Sequence, residues 1–188
     1  VPSLRFLGVT PDQLLEVGVY LLNMQMFGML LGGVLWGIFG DKKGRIFVLF
    51  GSIFLYSTAN IVNAFVTTVP MYGLLRFIAG VGLAGELGAA ITLVSEVMSK
   101  EKRGYGTAIV ASVGICGAVA AGLIGEYFTW QTAYLVGGMM GLVLLVARIR
   151  IYESGMFADA KKSDVRRGDI FMLIRNPGKA LLFLRCIL

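Results

Sequence analysis

The chain has 188 residues, 57% of them hydrophobic, and a mean hydropathy of +0.80. Soluble domains are about 45–50% apolar, and 15% charged residues cannot supply the polar surface that a soluble chain of this size needs, which excludes a soluble fold. The formal charge of +6 does not indicate a nucleic-acid partner, because the basic residues form short clusters between apolar blocks and no continuous stripe.

Five apolar blocks are each long enough to cross the ~30 Å hydrocarbon layer of a bilayer at ~1.5 Å of helix per residue. The predicted spans are 14–39, 46–67, 71–98, 106–128 and 131–151. After them comes a polar segment with a Pro-Gly pair, typical of a linker, and then a short apolar tail. We therefore divide the chain into an amino-terminal transmembrane bundle (1–151), a cytoplasmic interdomain linker (152–179) and the start of another transmembrane helix (180–188).

The distribution of Lys and Arg predicts the orientation in the membrane. Two loops between spans, 65–73 and 126–132, carry almost no charge, whereas the other connections are basic. The positive-inside rule places the basic connections in the cytoplasm, and the expected location is the inner membrane of a bacterium. With Val1 then outside, we expect a further span upstream of it. The predicted cytoplasmic segments are 40–46, 99–105 and 152–179.

The loop GIFGDKKGR joins the first two predicted spans. Its glycines, among them Gly37 and Gly44, permit a tight turn and a close approach of two helices. Asp41 is a carboxylate at a membrane boundary between basic residues that include Arg45, which indicates a dedicated partner for the aspartate. A solvated turn without a specific role is the alternative.

Arg76 and Glu86 are the ionisable residues at membrane depth in the third predicted span. Each costs roughly 2.5–3.5 kcal/mol to insert, so such residues normally face a bundle interior or a water-filled cavity. They are about 15 Å apart along the helix axis and ~80° apart around it, so each needs its own partner. For Arg76 the alternative is a side chain that extends to the membrane surface; for Glu86 it is a structural hydrogen bond to a neighbouring helix.

Small residues surround Glu86 on its helix face, namely Ala79, Gly82, Ala89 and Ala90. They leave a space that either another helix or solute and water would fill. Asn23 and Gln25 are further polar groups at depth in the first span, and for them solute binding and interhelical hydrogen bonding remain equally open.

These motifs together resemble the major facilitator superfamily. GIFGDKKGR is similar to the family loop GxLxDRxGRR between the second and third helices, with Ile46 in place of a second basic residue. Arg76 with Gly80 and Gly82 resembles the RxxxGxG signature of the fourth helix, which is linked to proton transfer in proton-coupled members. GLAGELG is similar to the GxGGEWG stretch of the metabolite–proton symporters, with Ala84 and Leu87 as departures.

Two further matches lie at predicted cytoplasmic ends. Glu96 and Arg103-Gly104 match the E-x6-RG pattern that the sugar-porter branch shares, and YESGMF resembles the ESPxF box after the sixth helix, with Gly155 replacing proline. The resemblance implies a cytoplasmic gate that holds the two halves of a transporter together. Its members here would be Gly37, Asp41, Gly44, Arg45, Glu96, Arg103 and Glu153.

The resemblance implies an all-α, major-facilitator-type helix bundle with five full transmembrane helices, the second to sixth of the family, plus the start of another. It implies secondary active transport by alternating access, with symport of a proton and a small polar solute such as an organic acid, betaine or sugar. Glu86, Arg76, Asn23 and Gln25 are the candidate proton-coupling or substrate residues. Expected partners are the solute, the coupling proton, the lipid bilayer and a second transmembrane half or second copy, with no nucleic acid.

Two other classes of protein remain to be weighed. A non-transporting membrane module or a dimerising half-transporter is the alternative function. An enzyme is not expected, because the chain has no histidine and shows no nucleophile–base pair, metal cluster or phosphate loop. No cofactor is expected either.

Overall fold

The computed structural model describes residues 2–99 and 101–147. A short helix α1 (Pro2–Phe6) and a 3₁₀ turn (Pro11–Gln13) precede five long helices. These are α2 (Leu14–Lys43), α3 (Arg45–Asn63), α4 (Val69–Val97), α5 (Arg103–Tyr127) and α6 (Trp130–Ala147). All five are long and apolar enough to cross a membrane, so the prediction of an all-α membrane protein with five full transmembrane helices is confirmed.

The helix bounds differ from the predicted spans where a helix does not end with its apolar run. The second span was predicted to reach residue 67, but α3 ends at Asn63, where Ala64 N–H and Phe65 N–H bond carbonyls three residues back and turn the chain. α5 begins at Arg103, three residues before its predicted start at 106, because polar residues extend the helix beyond the apolar block. The predicted linker 152–179 and helix start 180–188 lie outside the described residues.

The helices alternate in direction, so the described bundle has two distinct ends. The neutral end comprises the helix starts at Leu14, Val69 and Trp130 and the connection 64–68. The basic end carries the turn at Gly44 and the start of α5 at Arg103.

Helices α2 and α4 run parallel and pack through glycine. A Cβ added to Gly32 would lie 2.5 Å from the carbonyl oxygen of Val81, and one added to Gly28, a turn earlier, would overlap the carbonyl oxygen of Phe77. Gly28 and Gly32 form a GxxxG spacing, which places both glycines on one face of α2. The two backbones therefore approach more closely than any larger residue would permit.

Trp36 extends this contact towards the basic end and joins α3 to it. Its indole ring fills a notch between Gly51 of α3 and Gly85 of α4, where added Cβ atoms would lie 2.8 and 2.5 Å from the ring. Its Nε1–H donates a hydrogen bond of 2.8 Å to the carbonyl oxygen of Val81. One side chain therefore links three helices.

Helix α6 packs against α3 through two more glycines. A Cβ on Gly138 would lie 2.6 Å from the side chain of Ile61 and 2.8 Å from the carbonyl oxygen of Ser57, and one on Gly141 would overlap the Ser57 hydroxyl. This contact fixes the position of the first half of α6, including Tyr134 one turn before Gly138.

Candidate functional site

Arg76 is held between three helices near the neutral end. It lies in the second turn of α4 and is half-buried. Its Nη1 donates a hydrogen bond of 3.1 Å to Oε1 of Gln25 on α2, and its Nη2 donates to the hydroxyl of Tyr134 on α6. The guanidinium group is therefore directed by partners on both sides and does not extend freely towards the membrane surface.

Two tyrosines complete this cluster. The hydroxyl groups of Tyr72 and Tyr134 are 2.7 Å apart, and their rings meet edge to face with centroids 6.2 Å apart. The guanidinium carbon of Arg76 lies 5.5 Å from the centroid of the Tyr72 ring and 5.0 Å from that of Tyr134, within the range of cation–π attraction. Tyr72 precedes Arg76 by four residues on α4, so helix geometry places both on one face. We call Gln25, Tyr72, Arg76 and Tyr134 the arginine cluster.

A cavity of about 510 Å³ opens beside the arginine cluster, between α1, α2 and α4. Its polar wall consists of Ser3, Gln25, Tyr72 and Arg76, and the rest of its lining is aliphatic apart from a glycine. One cation therefore lies at the edge of an otherwise largely apolar space. The remaining lining residues are Leu4, Leu14, Leu15, Gly18, Val19, Leu21 and Leu22.

Glu86 lies elsewhere on α4, near its middle, and is half-buried. Its helix face packs against α3: Gly82 meets the backbone of Ser52 and Tyr56, and Ala89 is buried in a core cluster with Val48 and Leu49. Of the two occupants that the sequence left open for this face, a neighbouring helix fills it at Gly82 and Ala89. Glu86 does not line the cavity beside Arg76.

Asn23, the fourth candidate binding residue, is exposed on α2 and does not line this cavity. It is two residues before Gln25, which corresponds to about 200° around the helix. The structure therefore brings Gln25 and Arg76 together and leaves Asn23 and Glu86 apart from them.

At the basic end, the predicted gate residues surround a very short turn. Gly44 alone separates α2 from α3, and its φ of +96° lies in the region that favours glycine. Gly37 and Asp41 are exposed on the last turns of α2. Arg103 donates from Nε to the carbonyl oxygen of Met98 at 3.2 Å, which ties the start of α5 to the end of α4.

Two gate residues are placed only by their backbone. Arg45 begins α3 and Glu96 lies in the last turn of α4, and their side chains are outside the described part. Glu153 lies outside the described residues altogether. The gate assignment as a whole stays a prediction.

Lys43, which the sequence did not single out, lies over two aromatic rings at the same turn. Its Nζ is 4.5 Å from the ring centroid of Phe47 and 5.9 Å from that of Phe39. Since both rings flank Gly44 in sequence, they hold the lysine beside the turn. The basic charge of this end is thus partly fixed in position.

A smaller crevice of about 150 Å³ lies between α2 and α4 towards the basic end. Its walls include Gly37, Trp36, Gly85 and Thr92, but none of its lining residues is charged. Within residues 2–99 and 101–147, no group of three or more His, Cys, Asp or Glu residues could hold a metal ion. Among the described cavities, the one beside Arg76 therefore has the clearest binding chemistry.

Sequence reasoning missed Tyr72 and Tyr134. Both lie close to a span boundary, where tyrosine is common for reasons unrelated to function, so neither stands out in one sequence. Their pairing depends on how α4 and α6 meet, which a pattern within one helix does not reveal. The GxxxG spacing of Gly28 and Gly32, in contrast, lies within one helix and is a contact signal, although it was not among the predicted features.

Comparisons with known proteins agree with this architecture. The family model described as Major Facilitator Superfamily matches residues 6–184. A Bacillus subtilis (strain 168) protein named as a candidate niacin/nicotinamide transporter, NiaP, is 33% identical over 78% of this chain and 36% of its own length. The 3-(3-hydroxy-phenyl)propionate transporter of Escherichia coli (strain K12) is 30% identical over 77% of this chain and 37% of its own length.

A third relative is the niacin transporter NiaP of Acinetobacter baylyi (strain ATCC 33305 / BD413 / ADP1), 32% identical over 72% of this chain and 32% of its own length. The chain spans about a third of the length of these relatives. All three are named as transporters, in agreement with the prediction that the chain is not an enzyme. Because the family model covers nearly all of the sequence, the chain belongs to the Major Facilitator Superfamily and is an integral membrane protein.

Proposed function

We propose that the chain is part of a secondary active transporter that moves a small organic carboxylate across a bacterial inner membrane by alternating access. The observation that carries this proposal is the arginine cluster at the wall of the 510 Å³ cavity. A half-buried cation with an open space beside it is an arrangement that suits an anionic solute.

The cavity lining favours an organic acid among the three solute classes that the sequence left open. A sugar needs many polar partners, whereas the described lining offers four polar residues among aliphatic ones. A betaine carries a cationic head group, and no carboxylate lines the cavity within the described residues. Niacin and 3-(3-hydroxyphenyl)propionate, after which relatives are named, are both aromatic carboxylic acids.

The donor geometry of Arg76 supports the same class of solute. A guanidinium group has five N–H donors in a planar fork, and the cluster uses one for Gln25 and one for Tyr134. A carboxylate binds arginine with two parallel hydrogen bonds, so enough donors remain to bind it without breaking the cluster. The apolar body of the solute would then contact the leucine-rich wall.

For proton coupling we propose Glu86. A carboxylate near the middle of a spanning helix costs about 2.5–3.5 kcal/mol when charged, and protonation removes this cost during passage through a closed state. The half-buried position of Glu86 near the middle of α4 supports such a role. Coupling between Glu86 and Arg76 would act through the α4 helix that carries both residues.

The remaining features of the proposal concern topology and partners. The basic end would face the cytoplasm, with the gate formed by Gly37, Asp41, Gly44, Arg45, Glu96, Arg103 and Glu153. A second transmembrane half, or a second copy, would enclose the solute from the opposite side.

Uptake of niacin and of nicotinamide tests the proposal directly, because the two molecules differ only in a carboxylate against a neutral amide. The measurement uses radiolabelled solutes and cells that express the full-length protein. We expect uptake of niacin, and Arg76→Gln should lower it roughly 10- to 100-fold, because a charge-assisted hydrogen-bonded pair is lost. Arg76→Lys keeps the charge but not the fork and should have an intermediate effect.

Arg5→Gln is the matched control, since Arg5 is an exposed arginine at the same end and does not line the cavity. If a proton is co-transported, uptake should rise at lower external pH. Glu86→Gln should abolish this rise, while Glu126→Gln, at an exposed glutamate, should preserve it. Equal loss with Arg5→Gln and Arg76→Gln would contradict the anion site. Absence of uptake of niacin and 3-(3-hydroxyphenyl)propionate by the wild type would contradict the assignment of an organic carboxylate as the solute.

A further inference from the structure

We infer that Tyr134 is a positioning residue that fixes the Arg76 guanidinium for bidentate binding of the solute carboxylate. This inference rests on the proposed function and identifies a residue of α6 through which the site gains its selectivity for carboxylates. Tyr134 does not line the cavity itself, so its effect on the solute passes through Arg76.

Tyr134 makes two contacts with Arg76 and a third with Tyr72. Its hydroxyl oxygen accepts a hydrogen bond from Nη2, its ring lies 5.0 Å from the guanidinium carbon, and its hydroxyl lies 2.7 Å from that of Tyr72. Since a hydroxyl group has one hydrogen and two lone pairs, it can accept from Arg76 while it also bonds Tyr72. The Tyr72 hydroxyl thus holds the Tyr134 hydroxyl in the orientation that Arg76 uses.

The backbone that carries Tyr134 is itself closely fixed. One turn later, Gly138 packs against Ile61 and Ser57 of α3 with no room for a side chain. One turn earlier, the Trp130 ring meets the Tyr134 ring edge to face with centroids 6.3 Å apart. A binding group is most effective when its supporting residue is locked by packing on a rigid helix, as this one is.

The opposite partner of Arg76 is less restrictive. Gln25 contacts Nη1 through a flexible amide side chain on α2, at 3.1 Å, and itself lines the cavity. Tyr134 therefore provides the rigid hydrogen-bond partner of Arg76, and Gln25 provides the flexible one. Without the Tyr134 hydroxyl, the guanidinium would lose one fixed direction and spread over several rotamers.

The decisive variant is Tyr134→Phe, which keeps the ring and removes only the hydroxyl. We expect the KM for niacin uptake by the full-length protein to rise about five- to tenfold, with the maximal rate within about twofold, because orientation of the anion site is lost and the transport cycle is not. Tyr72→Phe should give a smaller rise in KM. The control Tyr127→Phe, at a tyrosine that is 80% exposed on α5, should leave both constants unchanged.

A second measurement tests the contact without any solute. Phenylglyoxal modifies arginine side chains, and peptide mass spectrometry of the purified full-length protein in lipid nanodiscs reports the rate at Arg76. We expect this rate to be about threefold higher in Tyr134→Phe than in the wild type or Tyr127→Phe, since a hydrogen-bonded guanidinium is less available to the reagent. Tyr72→Phe should fall between them and serves if Tyr134→Phe does not fold.

The two measurements separate failure of this inference from failure of the transport proposal. Equal modification rates in Tyr134→Phe and the wild type would overturn the positioning role, as would an unchanged KM with normal uptake. A faster modification of Arg76 together with no uptake of niacin or 3-(3-hydroxyphenyl)propionate by the wild type would retain the contact and overturn the solute assignment. A fall in maximal rate at constant KM would also contradict positioning.

Discussion

Helices α2 and α5 have similar compositions but very different surroundings. Both are apolar and rich in glycine, yet Gly28 and Gly32 of α2 lie against the backbone of α4. On α5, within the described part of the structure, Gly106 is the one buried residue, and Cβ atoms added at Gly114, Gly117, Gly122 and Gly125 would meet nothing within 4 Å. Small residues therefore permit a close contact but do not by themselves produce one. A partner backbone at the matching height is also required.

The largest expected effect is at the α2–α4 crossing. Gly28→Ala would push a methyl group into the Phe77 carbonyl, where only a backbone shift could relieve the overlap. We expect a loss of about 3 kcal/mol, at the upper end of ordinary overpacking. Thermal unfolding of the purified full-length protein in detergent measures it. Gly33→Ala, at a glycine of the same helix with open space around its Cβ position, is the control, and equal shifts for the two variants would contradict the close crossing.

An intermediate effect is expected at the Trp36 notch. Trp36→Phe removes the hydrogen bond to Val81 and leaves part of the notch empty, which should cost about 1–2 kcal/mol. Gly51→Ala alone should also destabilise, because its Cβ would lie 2.8 Å from Cη2 of the indole. The smaller ring of phenylalanine leaves room for that methyl group, so the double variant should be more stable than the sum of the single effects predicts. Strict additivity of the two unfolding free energies would show that Gly51 and Trp36 do not share this contact.

The smallest effect is expected on α5. Gly117→Ala meets no neighbouring atom in the described part and improves helix propensity, so the free energy of unfolding should change by less than about 1 kcal/mol. The same thermal unfolding assay applies. A destabilisation as large as that of Gly28→Ala would reveal a segment packed on α5 and would remove the contrast between the two helices.

The spans were predictable because their signal is local. A run of apolar residues long enough to cross a bilayer is visible in the sequence alone, and the family motifs around Asp41 and Arg76 identified the order of the helices. The errors lie at helix ends such as Asn63 and Arg103, where backbone hydrogen bonds rather than apolarity decide the boundary.

The site was predictable only in part. Arg76 stood out because a charge at membrane depth is costly, and Gln25 because it is polar at depth. The sequence gives no means of distinguishing Gln25 from Asn23, since the choice depends on which face of α2 meets α4. Tyr134 could not be identified for a similar reason. Its contact with Arg76 depends on its position along α6 relative to Arg76 on α4, which the packing of Gly138 on α3 determines.

The single residue between α2 and α3 has a mechanical consequence. Lys43 ends one helix and Arg45 begins the next, so Gly44 alone connects them and the two helix ends cannot move apart. A displacement of the end of α2 must therefore move the start of α3. The longer connection 64–68 between α3 and α4 can absorb such a movement. An inserted residue that became part of α3 would turn its first side chains by about 100°, away from their partners on α4. A change of length at this joint is therefore harder to accommodate than one in the connection 64–68.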